Sequence, residues 1–355
     1  MYLNTIGTLH FEWTSYCNAQ CPQCGRTDNT KLPIDSVSLD QVKQWFTPDM
    51  ISSLSYMYSC GNYGDPITHP DCIGIVDWFL SNGCKNVSLH SNGGVRNTDF
   101  WTKLGERKIR VTFAIDGLED TNHIYRVGVS WTKLMQNVHA FIQAGGRADW
   151  AYLIFSHNEH QIDAAKQLAT KLGFNKFVSK ASSRFTQYKV KSEIRVSVDE
   201  LKNRAVANRK NQQVVPALAS LKAHDEQYIK VIDQYGDYNT YVTNTEISCK
   251  TQKENSIYVD FLGRIWPCCW VGHTFPRNSK TASPTDAVID KYGKDFNSLH
   301  CHALKDIMNH EWFQQDLENS WKTGANRIET CSEMCGKEYS ASSLQFLGTE
   351  WLKKN

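Results

Sequence analysis

From residue 8 to about 180 the chain alternates short apolar runs with longer stretches of helical period. Leu9-His10-Phe11-Glu12-Trp13 switches between apolar and polar at every step, the period-two pattern of a half-buried strand. Residues 39–46 carry apolar positions at helical spacing behind Ser38, a good N-cap. A strand is expected at 55–58, a helix at 71–80, and a strand at 86–90 that ends in the turn Ser91-Asn92-Gly93-Gly94. A strand at 110–115 ends in Asp116-Gly117. Helix 131–144 is stopped by Gly145-Gly146, strand 150–155 follows, helix 161–172 is stopped by Gly173, and a short strand closes the series at 176–179. About six strand–helix steps predict an α/β fold, a parallel sheet or partial (β/α)6 TIM-type barrel. In such folds the functional loops follow the C-terminal ends of the strands. The polar, glycine-bearing segments 16–26, 60–66, 91–94, 116–128 and 156–158 fall there.

The pattern then changes. Residues 182–248 are irregular and mostly polar, with one helix expected at 199–210. From Cys249 onward the chain is rich in cysteine; 257–261 alternates like a strand, and Leu262-Gly263 turns into Arg264-Ile265-Trp266. The expected organisation is a barrel core at 1–181, a linker at 182–248 and a small cysteine-rich α+β module at 249–355. A length of 355 residues suits such a division.

Composition narrows the function. Hydrophobic residues at 41% and charged residues at 21% describe a folded globular protein. Lys+Arg 39 against Asp+Glu 37 leaves +2, which excludes a globally basic nucleic-acid coat or an acidic tail. Between 176 and 210, however, ten basic residues face three acidic ones, a local +7. A solvated linker face is the plainer reading; a phosphate-bearing or RNA partner is the other. The aromatics Phe177, Phe185 and Tyr188 are too few for base stacking. No apolar run approaches 18 residues, so no membrane span is expected. The N-terminus lacks the basic and apolar regions of a signal peptide, which predicts a cytoplasmic protein. In a reducing compartment the twelve cysteines argue for metal or redox chemistry over disulfides.

Those cysteines form two groups separated by a thiol-free stretch from 84 to 249. Cys72 and Cys84 flank the apolar run 73–80 and read as core packing, as does Cys60 at a strand end. Cys17, Cys21 and Cys24 are spaced C-x3-C-x2-C. Three thiolates this close can surround one [4Fe–4S] cubane, which needs four ligands; no fourth cysteine follows nearby, so one iron would stay open to a small molecule. Zinc is the competing reading, but it calls for a second pair or histidines at set spacing.

A C-x3-C-x2-C loop after the first strand of a βα series resembles the radical S-adenosylmethionine (radical SAM) superfamily. The resemblance implies that SAM chelates the open iron, and that the reduced cluster cleaves SAM to a 5′-deoxyadenosyl radical, which takes hydrogen from a substrate. Gln23 departs from the aromatic or apolar residue usual before the third cysteine. Cys60-Gly61-Asn62-Tyr63-Gly64-Asp65-Pro66 is similar to the family's glycine-glycine-glutamate-proline turn, with Asp65 for Glu; it implies that Gly64 and Asp65 position the methionine end of SAM. Ser91, Asn92, Asp116, Arg126 and Asn158 follow strands three to five, where the family contacts the rest of SAM. The resemblance covers most of residues 8 to 180.

Farther on, Cys249, Cys268 and the Cys331-x3-Cys335 pair frame a hairpin and a later turn. This looks like the twitch module, the shortened SPASM extension of radical SAM enzymes. It implies a second, auxiliary [4Fe–4S] cluster held by four thiolates, with zinc as the rival occupant. Cys269 and Cys301 are spare, and either could replace an assigned ligand. The expected reaction is an oxidative, dehydrogenase-like or other modification of a small molecule or peptide, with reduced flavodoxin or ferredoxin as electron donor. The chain starts close to its first strand, which leaves no room for an N-terminal peptide-recognition domain. An RNA- or nucleotide-modifying enzyme, and a non-catalytic iron–sulfur or zinc protein, are the alternatives.

Overall fold

The computed structural model describes residues 5–22, 24–27, 29, 32–181, 229–275, 285–324, 327–340 and 346–352. The helix expected at 199–210, most of the basic stretch (Lys189 and Lys191 included) and Gln23 lie outside these residues.

Six strands pair in parallel, in sequence order: β1 (Thr8–Phe11), β2 (Tyr56–Ser59), β3 (Val87–Ser91), β4 (Arg110–Ala114), β5 (Arg147–Ile154) and β6 (Lys176–Ala181). The helices α1 (Leu39–Trp45), α2 (Pro48–Ser53), α3 (Cys72–Ser81), α4 (Thr98–Glu106), α5 (Asn122–Tyr125), α6 (Trp131–Gln143) and α7 (Ile162–Leu172) fill the crossovers. Alternation along the strands sorts the side chains. Leu9, Phe11, Met57, Leu89, Val111, Phe113 and Trp150 are fully or almost fully buried. Residues of the opposite phase are mixed: Tyr58, His90, Ala114, Ala151 and Leu153 are partly exposed, whereas His10, Ser88, Thr112 and Asp149 are buried. The sheet therefore has one sealed face against the helices and one of mixed burial, as expected of a partial barrel.

Local signals account for the element ends. Ser38 caps α1 in a capping box: Gln41 N donates to Ser38 Oγ at 3.2 Å and Ser38 N to Gln41 Oε1 at 2.8 Å. Gly173 ends α7 in the left-handed conformation, φ 87°. Helix α4 was not legible in the sequence. It contains Gly105, where a Cβ would strike the carbonyl oxygen of Phe141 in α6, so the residue that weakens the helical pattern is the one that lets two helices touch.

The chain beyond Cys249 completes this same sheet at both edges. β7 (Ser256–Val259) pairs parallel with β1, and β8 (Ile265–Trp266) pairs antiparallel with β7. β9 (Phe346–Trp351) pairs antiparallel with β6. The strand order is β8-β7-β1-β2-β3-β4-β5-β6-β9. Among the described residues no helix is long and apolar enough to cross a membrane.

Candidate functional site

Cys17, Cys21 and Cys24 occupy the loop at the C-terminal end of β1. Neighbouring loops pin it: Asp65 N donates to the Tyr16 carbonyl at 2.7 Å, Gln20 N to that of Val127 at 2.9 Å, and Ser15 N to that of Asp35 at 2.9 Å. Polar groups reach the sulfurs. Ala19 N lies 3.4 Å and Asn92 Nδ2 3.8 Å from Cys17 Sγ, while Arg126 Nη1 lies 3.7 Å from Cys21 Sγ. Burial, aided by the negative charge of Asp65 and the other two thiols, pushes the Cys17 thiol up to about 12. A bound cation reverses this, because a coordinating thiol is deprotonated outright. The donor set (three sulfurs on one loop, with an amide and a guanidinium turned toward them) suits a thiolate-bound cluster with one iron left for another ligand.

The remaining candidates stand around this loop, most with their polar atoms already engaged within the chain. Asp65 is buried; its Oδ2 accepts Asn92 N at 2.8 Å, Asn92 Nδ2 at 2.7 Å and Ser91 Oγ at 3.1 Å. Burial raises its carboxyl to about 6 against the pull of these donors. The carboxylate thus locks the β3 loop to the β2 turn, and Asn92 in turn faces Asn18 and Cys17. Gly64 has no room for a Cβ because the Thr14 carbonyl would collide with it, so its smallness serves strand-end packing. Asp116 is fully buried and receives Arg126 Nε at 2.6 Å and Leu153 N at 2.7 Å. Asn158 donates Nδ2 to the carbonyls of Asp116 and Leu153, both at 2.9 Å, and accepts Phe155 N at 2.7 Å. Of the seven expected SAM contacts, Asn92 and Arg126 reach the cysteine sulfurs; Asp65, Ser91, Asp116 and Asn158 hold the loops behind them.

The C-terminal cysteines converge on one largely apolar pocket. Cys249, Cys268, Cys331 and Cys335 all line it, with Ile247, Trp270, Val271, Leu317, Trp321 and Met334. Cys249 precedes a short helix, Lys250–Lys253, and Cys268 follows β8. Cys331 and Cys335 share one face of the helix Glu329–Cys335, four residues apart. Burial raises the Cys268 thiol to about 12, and burial among the other thiols pushes Cys331 up further. A hydrogen bond with Cys249, together with burial, does the same to Cys335. The two spare cysteines lie elsewhere: Cys301 is exposed, and the carbonyl of Cys269 accepts Asn62 Nδ2 at 2.9 Å. Cys72 and Cys84 are buried in the core. All twelve cysteines are among the described residues and none is in a disulfide. Among the described residues no three His, Cys, Asp or Glu side chains are set to hold a single metal ion; a four-iron cubane instead takes each thiolate on a separate iron.

Sequence reading missed Glu12. Its side chain is 1% exposed; Oε1 accepts Tyr63 N at 2.8 Å and Gly64 N at 3.0 Å, and Oε2 accepts the hydroxyl of Tyr258. Burial lifts its carboxyl to about 7. The available signal was a charged residue that continues the alternation of β1 one residue past its end. Two residues earlier, on β1, His10 meets the Cys60 carbonyl at 2.5 Å and stacks on Tyr58 at 4.4 Å; burial lowers its pKa to about 4 and keeps it neutral.

The parallel sheet with a three-cysteine loop at the end of its first strand agrees with the resemblance drawn from the sequence, and known proteins of similar sequence or fold include AdoMet-dependent and AdoMet-bound ones. The chain is 24% identical over 175 residues to the AdoMet-dependent heme synthase of Methanosarcina barkeri, covering 48% of this chain and about half (49%) of that relative. Its fold is similar to anSMEcpe with bound AdoMet (TM-score 0.54, 13% identity, covering 93% of this chain and 86% of that one). It is also similar to Streptococcus suis SuiB bound to S-adenosylmethionine (TM-score 0.53, 13%, 96% and 77%) and to SuiB bound to its precursor peptide SuiA (TM-score 0.52, 13%, 96% and 76%). No protein-family model matches the chain.

Proposed function

We propose that this protein is a radical SAM enzyme that performs an oxidative or other modification of a small molecule or peptide. The observation that carries the reading is the Cys17, Cys21 and Cys24 loop, placed at the C-terminal end of β1 with Asn92 and Arg126 turned toward its sulfurs. These cysteines would hold a [4Fe–4S] cluster that, once reduced, supplies the electron that splits SAM into methionine and the hydrogen-abstracting 5′-deoxyadenosyl radical.

The residues of the chain divide the remaining work. Asp65 fixes Asn92, and Asp116 fixes Arg126, so two donors stand at set positions beside the metal site. Hydrogen bonds to cluster sulfurs influence reduction potential, which gives both donors a second task. Cys249, Cys268, Cys331 and Cys335 would close a second cluster in a twitch-like module. With four thiolates no iron is open, which suits electron transfer better than substrate binding. The partly exposed residues Tyr58, His90, Ala114, Ala151 and Leu153 would give the substrate a place on this side of the sheet. Peptide-bound SuiB, a fold neighbour, supports a peptide as one substrate class. A reduced flavodoxin or ferredoxin would supply electrons.

The test is to incubate reconstituted, reduced protein with SAM and deuterated candidate substrates. Deuterium in 5′-deoxyadenosine identifies the substrate and the position attacked. SAM cleavage with no transfer from any small molecule or peptide would overturn the substrate assignment.

A further inference from the structure

Two buried side chains connect the turn after β2 to the C-terminal part of the chain. Glu12 Oε1 accepts the backbone N–H groups of Tyr63 and Gly64, and Glu12 Oε2 accepts the hydroxyl of Tyr258, 246 residues away on β7. Asn62 Nδ2 donates to the Tyr258 hydroxyl at 3.3 Å and to the Cys269 carbonyl at 2.9 Å, one residue beyond Cys268. The surroundings are cut to fit. A Cβ on Gly61 would come within 2.7 Å of Glu12 Oε1, and one on Gly272 within 2.7 Å of the Tyr258 ring. On its other side the turn continues into Asp65, whose N–H holds the cysteine loop at Tyr16 and whose carboxylate holds Asn92 against Cys17.

A buried carboxylate needs its lone pairs occupied, and hydrogen bonds to it are roughly twice as strong as neutral ones. Removing the Tyr258 hydroxyl leaves Oε2 without its phenol partner and frees the carboxylate to swing away from Tyr63 and Gly64. We infer that Tyr258 and Glu12 are a positioning pair, which sets the Gly61–Gly64 turn against the three-cysteine loop so that SAM binding at the first site depends on the segment carrying the second. The inference rests on the first site being the SAM site.

The test uses full-length, reconstituted Tyr258→Phe and Glu12→Gln, both close to the parent in volume. Iron per chain and anaerobic equilibrium dialysis of SAM are read without turnover. Tyr258→Phe is expected to keep full iron and to bind SAM about tenfold more weakly, the effect of about 1.4 kcal/mol. Glu12→Gln keeps an oxygen for both backbone donors and an amide for Tyr258, so it should weaken binding less. Unchanged SAM affinity in Tyr258→Phe with full iron overturns the inference. Loss of iron in both variants also overturns it, because the pair would then support the fold and not the turn. If the parent itself binds no SAM, the reading of the first site fails instead.

Discussion

Arg126 pairs with the fully buried Asp116, Nε to Oδ2 at 2.6 Å, and the far end of the same guanidinium points to Cys21 Sγ at 3.7 Å. A loop ten residues long thus returns a cation to the first cysteine loop, held by an anion at the end of β4. Breaking a buried pair by removing one partner costs about 3–5 kcal/mol. Asp116→Ala should lower the unfolding free energy of the metal-free protein by about that amount in urea titration. A loss below about 1 kcal/mol would mean that the pair is not desolvated as described.

By position the cysteines fall into two groups, the two ligand sets proposed above. Alanine at Cys17, Cys21 or Cys24 should empty one site, and alanine at Cys249, Cys268, Cys331 or Cys335 the other. Each change is expected to lower iron after anaerobic reconstitution from about eight to about four per chain. Cys269→Ala and Cys301→Ala should leave the count unchanged. If Cys331→Ala halves the iron yet leaves substrate turnover intact, the second cluster has no part in the reaction.

Much of this was legible along the chain, and the exceptions have physical causes. The βα rhythm, the Ser38 cap, the Gly173 stop and both cysteine groups are local features, so spacing alone exposes them. The pairing of β9 with β6, of β7 with β1 and of Glu12 with Tyr258 joins residues far apart in sequence. No local pattern encodes such partners. Asp65 and Asn158 could be picked out as polar residues at strand ends, yet only the folded chain shows that their polar groups bond to the chain itself.

Glu12 also makes stability depend on pH. Its carboxyl titrates at about 7 in the fold, above the ordinary value of 4.5. Between these values the folded chain holds a proton that the unfolded chain releases, so stability falls as pH rises. The contribution is complete below about 4.5 and lost as pH passes 7; the span corresponds to about 3 kcal/mol. Glu12→Gln cannot titrate. Its stability relative to the parent, measured on metal-free protein, should therefore rise by about that much from pH 4 to pH 8. A difference that does not vary with pH would exclude this assignment.

Gly64 is a steric requirement. In Gly64→Ala the new methyl meets the Thr14 carbonyl, and overpacking of this kind costs about 1–3 kcal/mol. The thermal midpoint should drop and SAM binding weaken together. An alanine variant with the parent's midpoint would show that the turn has slack.

The central claim is tested most directly by the products of SAM itself. Anaerobically reconstituted, reduced protein is incubated with SAM, and 5′-deoxyadenosine and methionine are quantified beside a Cys17→Ala control. The account predicts equal amounts of both products from the parent and none from the control. Full iron loading with no 5′-deoxyadenosine from the parent would contradict it and leave an iron–sulfur protein that does not cleave SAM.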